Sequence, residues 1–299
     1  AEDYEMAASL KRELDKMQDI FFEQGAAASS SADWGAVKIY DEFENDYQLK
    51  TNLAWLPKCK SSDPLIRLAS LLHISRNLAS YALSPFKSSL SESEELCSLL
   101  GNFIRNDSIF GKVKEFDPQL LDSSEKVDLS SRGWCPYEFL YRDHTTRLFV
   151  SENERIIALL NNEDHLRVNL WGEADDLGEM LKQIYKFAEE LEKSFALLKN
   201  KEFGYFSRNL HLIGNGIGMA QLLHLPALSF TDQSEALIRS CSEMNFHLRP
   251  LFGKEDEFTG AFYILIAANS FANPLLQAEE LLELSRILEN HELNCRNKI

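Results

Sequence analysis

Between Leu166 and Leu198 the apolar positions change from every second residue to the helical period. A chain that makes this switch is committed to a sheet with a long helix packed on it. Leu166, Val168 and Leu170 alternate with Glu163, His165, Arg167 and Asn169, so one face of the expected strand is apolar and the other carries an acid, an imidazole and a guanidinium. That polar face is a candidate cleft lining. Leu177, Met180, Leu181, Ile184, Phe187, Ala188, Leu191, Phe195 and Leu198 then keep helical spacing and form the strongest helix signal in the chain. Upstream, Leu148 to Ser151 and Ile156 to Leu160 read as strands joined across Glu152 to Arg155, the pattern of a hairpin.

The flanking regions divide by composition. Tyr4, Ala7, Ala8, Leu10, Leu14, Met17 and Ile20 follow amphipathic spacing as far as about Gln24, and AAASSSAD from Ala26 to Asp33 has the composition of a linker or exposed loop. From Trp34 to about Ser131 the chain reads as short helices, with Leu65 to Leu83 the most apolar part and Ser88 to Glu95 a polar connection. Past the long helix, Gly214, Gly216 and Gly218 lead into LLHLPAL. A helix from about Gln233 to Met244, a strand at Phe246 to Leu251 and a last helix from about Pro274 to Glu292 follow. The expected organisation is residues 1–33 as helix and linker, 34–131 as a small helical lobe and 132–299 as an α+β lobe.

Charge narrows the function classes. The chain has 31 Lys plus Arg against 47 Asp plus Glu, a formal net charge of −16, which repels nucleic-acid phosphates and anionic lipid over most of the surface. The longest apolar runs, such as Ala261 to Ala268, fall far short of the roughly 20 residues of a membrane helix, and no segment reads as a signal peptide. Cys59, Cys97, Cys135, Cys241 and Cys295 are widely spaced with no C-x-x-C. Neither a disulfide framework nor a metal site is expected, and a cytoplasmic location fits.

Several segments resemble the ATP:guanidino phosphotransferases, the phosphagen kinases and more closely the bacterial protein-arginine kinases of the McsB type. Asn161 to Arg167 reads NNEDHLR against the family's NEEDHLR. Phe203 to Leu228 reads FGYFSRNLHLIGNGIGMAQLLHLPAL against a GYLT, CPTN, GTG, R, HLPAL series, and Arg249 to Glu257 sits where the family has R-G-x-x-G-E. Ile74 to Phe86, ISRNLASYALSPF, is similar to the family's LARNL segment, and Tyr141 to His144 falls at its E-R-H. The resemblance runs from about Trp55 to Arg296 and implies an α+β fold with an antiparallel sheet flanked by helices. Glu2 to Met17, EDYEMAASLKRELDKM, resembles half of a UVR motif. This implies docking onto protein partners through Asp3, Tyr4, Ala7, Leu10, Lys11 and Leu14, as in McsA-type activators that bind Clp-type chaperones.

Phosphoryl transfer depends on arginines and magnesium holding nucleotide phosphates while carboxylates orient the attacking group. By resemblance, Glu163 holds the catalytic glutamate position, and His144, Arg167 and Arg249 hold retained nucleotide positions. Elsewhere the pattern is degenerate. The family's phosphate-gripping arginines fall on Leu71 and His73, a third falls on Gly218, its reactive cysteine on Asn209, and its second guanidinium-binding carboxylate on Lys254. One such arginine is worth about 10³ to 10⁵ in rate where it stabilises transferred phosphoryl charge, so these losses imply a pseudokinase. The alternatives are a working protein-arginine kinase whose nucleotide grip is completed by arginines such as Arg67, Arg208 or Arg239 or by a partner chain, and a sensor of nucleotide or phosphoarginine. No cofactor is certain from the residues. Mg-ATP follows only if the nucleotide site is retained, and the partners implied are proteins: a Clp-type chaperone, an McsA- or McsB-type protein, or an arginine-containing protein.

Simpler readings stand beside these. His165 fits a hydrogen-bonded structural histidine better than a base. Glu163 and Arg167 can form an ion pair along one face. The glycines from Gly214 to Gly218 lack the Lys and Ser or Thr of a phosphate loop. His224 in the HLPAL segment fits a structural role, and Cys135 and Cys241 fit packed, idle thiols.

Overall fold

A computed structural model describes residues 65–84, 87–142, 144–231, 234–251, 261–267 and 269–298, all within one compact unit, Lys50–Ile299. The docking face from Asp3 to Leu14, the linker, Cys59 and Lys254 lie outside the described residues.

The centre of the unit is an eight-stranded antiparallel sheet. Its strands are β1 (Arg67–Arg76), β2 (Val113–Phe116), β3 (Arg147–Ser151), β4 (Ile156–Leu160), β5 (Leu166–Gly172), β8 (Ile217–His224), β9 (Phe246–Pro250) and β10 (Phe262–Ala267), with β6 (Lys199–Asn200) and β7 (Gly204–Tyr205) forming a separate small ladder. The order across the sheet is β2-β3-β4-β5-β1-β8-β10-β9. β1 is therefore flanked by β5 and β8.

One face of the sheet carries the main core. Helices α1 (Leu90–Asn106), α3 (Leu177–Ser194) and α6 (Pro274–Arg296) cover it. Helix α3 buries Leu177, Met180, Leu181, Ile184, Phe187, Ala188 and Leu191, the expected apolar stripe. Helix α1 begins on a capping box: Ser89 Oγ accepts from the Glu92 N–H at 3.2 Å while Glu92 Oε2 accepts from the Ser89 N–H at 2.7 Å. The Ser- and Glu-rich stretch read as a connection is thus the start of this helix, because serine and glutamate at that spacing satisfy its unpaired N–H groups. On the opposite face, α2 (Ser123–Ser131) and a 3₁₀ turn at Tyr137–Tyr141 cover only the β3 and β4 end, burying Leu129, Trp134, Phe139 and Leu140 against Leu148, Val150, Ile157 and Leu159. Two short helices, α4 (Pro226–Phe230) and α5 (Ser234–Glu243), complete the described elements.

The expected helical lobe at 34–131 needs correction over its described part. Arg67–Arg76 is the central strand of the same sheet that holds residues 147–172, so no lobe boundary falls near residue 131. β1 sets apolar residues on both faces, Leu72 and Ile74 on one and Leu71 on the other, with Ser70 and His73 among them, and such a run carries no clean alternation to separate it from a helix. The hairpin, α3, α5, β9 and α6 lie close to where the pattern placed them. Helix α3 stops at Ser194, short of Leu198.

Candidate active site

The turn between β4 and β5 is the most densely hydrogen-bonded part of the described structure near the motif residues. Asn161, with φ of 56°, closes it by donating its N–H to the His165 carbonyl at 3.0 Å. Its side-chain amide donates to Thr145 O at 3.0 Å and Ser93 O at 3.3 Å, tying the turn to α1 and to the entry of β3. Asp164 is buried and accepts from Asn77 Nδ2 at 2.8 Å, Ser207 Oγ at 2.6 Å and the Arg208 N–H at 3.0 Å. One carboxylate thereby joins the end of β1 to the loop after β7.

His165 does not share a strand face with Arg167, as alternation suggested. It precedes β5, is fully buried, accepts from the Leu78 N–H through Nδ1 at 3.0 Å and donates from Nε2 to Ala82 O at 2.8 Å. Its backbone N–H donates to Asn77 Oδ1 at 2.8 Å. Both ring nitrogens are occupied, burial lowers its pKa, and its role is structural. Glu163, one residue before Asp164, is exposed. The alternation was misread here because the hydrogen bonds of Asn161 and Asp164 hold these residues in a turn.

His144 donates Nε2–H to the Asn161 carbonyl at 2.7 Å, and Arg142 donates to Asn162 Oδ1 at 2.9 Å. Both therefore stand at the turn. Asn209 caps a 3₁₀ turn, Leu210–Leu212, by accepting the His211 N–H at 3.1 Å.

Beside the turn lies the sheet face that α1, α3 and α6 leave uncovered. There β5 presents Arg167 and Asn169, β1 presents Leu71 and His73, and β8 presents Gly218. Asn169, His73 and Gly218 are direct neighbours across the three strands. The His73 imidazole lies against Gly218 so closely that a β-carbon at 218 would overlap the ring. Burial, and then the nearby Arg167 cation, hold the His73 pKa well below the usual histidine value, so the ring is neutral at pH 7. Arg167 donates Nε–H to Asn169 Oδ1 at 3.1 Å. Burial lowers its pKa, and the Glu163 and Asp164 carboxylates oppose that shift.

Arg249 is not brought to this group. It is exposed on the edge strand β9, four strand spacings from β5, or roughly 19 Å. Of the arginines considered as replacements, Arg67 is committed to Asp175 at 2.7 Å, with Glu289 3.8 Å away. Arg239 lies on the exposed face of α5 beside Glu235. Arg208 alone of the three stands at the turn, through its backbone bond to Asp164. The glycine stretch also has a structural explanation. Gly216 has φ of 66°, its carbonyl faces Arg76 Nη1, and a β-carbon there would fall inside the Arg76 guanidinium. Arg76 itself is buried and stacks on Tyr205 at 3.6 Å.

Sequence reasoning missed Asn77, Asn161, Asp164 and Ser207 as the frame of this site, although all four lie inside the matching segments. Among the described residues no His, Cys, Asp and Glu group could hold a metal, and no helix is long and apolar enough to cross a membrane. Cys97, Cys135, Cys241 and Cys295 are buried, and none of them forms a disulfide among the described residues. Burial pushes Cys97 and Cys135 up to about 12 and Cys241 up to about 11, so they are poor nucleophiles.

The antiparallel sheet flanked by helices matches the fold of solved phosphagen kinases. The substrate-free duplicated taurocyamine kinase from Schistosoma mansoni superposes with a TM-score of 0.65 at 15% identity, over 76% of this chain and 33% of that one. A lombricine kinase gives 0.64 at 13% identity, over 78% of this chain and 67% of that one.

The chain belongs to the ATP:guanido phosphotransferase family, whose C-terminal catalytic domain model matches residues 109–272. It is similar to the protein-arginine kinase of Staphylococcus epidermidis, at 21% identity over 72% of this chain and 62% of that protein. The protein-arginine kinase of Clostridium tetani is likewise 21% identical, over 78% of this chain and 68% of its own length. The match thus spans less than two thirds of the Staphylococcus relative.

Proposed function

We propose that this chain is a protein-arginine pseudokinase. On this reading it keeps the family's fold, transfers no phosphoryl group, and acts in the cytoplasm as a regulatory or adaptor partner in bacterial protein-arginine phosphorylation and Clp quality control. The observation that carries the reading is the packing of His73 onto Gly218, where the resemblance places two phosphate-gripping arginines. A neutral ring fills that space. Among the described residues, Arg167 is the one guanidinium that β1, β5 and β8 turn toward that face. A nucleotide triphosphate carries several negative charges that one arginine does not neutralise, so these residues do not fit Mg-ATP as an intact site would.

The partners are then proteins: a Clp-type chaperone, an McsA- or McsB-type protein, or an arginine-containing protein. Titration of the purified chain with Mg-ATP in a calorimeter tests the reading. No binding heat at millimolar nucleotide, together with no phosphoarginine by mass spectrometry on an arginine-containing protein, is expected, and stoichiometric transfer would overturn it.

The exposure of Glu163 beside Arg142 and Arg208 favours a second reading, a working protein-arginine kinase with a remodelled nucleotide grip. In that case transfer would be measurable and Glu163→Gln would abolish it. A nucleotide or phosphoarginine sensor would instead show thermal stabilisation by either ligand, lost in Arg167→Ala.

A further inference from the structure

Helix α6 has two kinds of carboxylate. On one side Glu289 lies 3.8 Å from Arg67 and the buried Glu292 pairs with Arg296 at 2.7 Å. On the other, Glu280 and Glu283 are exposed, and among the described residues neither has an ion-pair partner. These two lie between Leu276 and Ile287, and positions 276, 280, 283 and 287 fall on one face of the helix, each three or four residues from the next. Both apolar ends of the stripe are open to solvent: Leu276 is 57% and Ile287 45% exposed.

Opposite the stripe is the turn that ends α5 and starts β9. It presents Met244, 49% exposed, and Phe246. Between this turn and α6 runs a groove of about 440 Å³ lined by Met244, Phe246, Glu280, Glu283, Leu284 and Ile287. Its floor is apolar and its α6 wall is negative.

We infer that this groove docks an amphipathic helix of a partner protein, one with Lys or Arg at its centre and apolar side chains a turn or two to either side. Charge complementarity selects that occupant. The apolar positions Leu276, Ile287 and Met244 seat the anchors, and the two unpaired carboxylates meet the basic centre. A helix with an acidic centre would bring like charges together and be rejected. The inference rests on the proposed adaptor reading, since it names the chemistry of a partner. It does not depend on whether nucleotide binds.

The test uses the full chain and two synthetic helical peptides with the same apolar anchors, one with a lysine centre and one with a glutamate centre, measured by fluorescence anisotropy. The lysine peptide should bind at least about tenfold more tightly. The double variant Glu280→Lys, Glu283→Lys should reverse that order, and Ile287→Asp should weaken the lysine peptide by about tenfold without changing the circular dichroism. Equal binding of the two peptides, or an order unchanged by the charge reversal, overturns the inference. So does a sedimentation result in which the chain dimerises and Ile287→Asp makes it monomeric, because a second copy would then fill the groove. Mg-ATP calorimetry on the same sample reports separately on the pseudokinase reading.

Discussion

The turn at Asn161–His165 and the sheet face at Leu71, His73 and Gly218 adjoin one another, yet they differ in what they keep. In the turn, Asp164 and His165 each hold several hydrogen bonds to Asn77, Leu78, Ala82, Ser207 and Arg208. On the face, where the resemblance places arginines, a leucine, a neutral imidazole and a glycine stand instead. The turn is tied to the rest of the fold, so losing it would cost stability. Arginines that grip a ligand are repelled by each other in its absence, so their replacement costs the fold little and can stabilise it. Framework and chemistry are thus separable here even between neighbouring residues.

That contrast can be tested in order of expected effect. Asp164→Ala should be the most damaging, because it removes the buried acceptor shared by an Asn77 amide hydrogen, the Ser207 hydroxyl and the Arg208 N–H. A loss of about 3 kcal/mol is expected in urea unfolding, and a loss under about 1 would mean the turn is not the framework it looks to be. Gly218→Ala should cost about 1 to 3 kcal/mol, because the new methyl meets the His73 ring. His73→Ala in the same chain should recover most of that loss, and a double-mutant cycle without coupling would show that the two positions are independent.

Acid should act through both regions. His165 and His73 are both held below the ordinary histidine value of 6.5. The unfolded chain therefore binds protons first as pH falls. The stability is full above that value and declines below it toward the folded-state values, by up to about 1.4 kcal/mol per histidine for each pH unit. Urea midpoints compared at pH 7.5 and 5.5 measure this, and His73→Gln should flatten part of the decline. The smallest effect belongs to Glu163→Gln. Its side chain is exposed, so stability should stay within about 0.5 kcal/mol, which makes this variant a clean probe of any residual transfer activity.

How much of this was legible in sequence varies with burial. α3 and α6 could be read because one side of each meets solvent and leaves a helical trace, and the β3–β4 hairpin because two short β-rich runs flank the polar Glu152–Arg155. β8 and β10 lie inside the sheet, and their nearly unbroken apolar runs, such as Ile217–His224, hide both type and direction, while β1 mixes Ser70, His73 and Ser75 into its apolar run and shows no clean period. At the site, the NNEDHLR motif covers the turn, but strict alternation put Glu163 and His165 on the strand face with Arg167. The Leu78 N–H that donates to the ring and the Ala82 carbonyl that accepts from it, 87 and 83 residues away in the chain, decide where that ring points. No local pattern records such partners.

The close fit of His73 over Gly218 also bears on the order of substitutions. An arginine placed at 218 while His73 is present would enter occupied space. Replacing His73 first would leave only a gap beside a glycine. Access of an arginine to this face is therefore gated: the substitution at position 73 must precede the one at position 218. A geometry that needs two ordered steps acts as a ratchet against single substitutions.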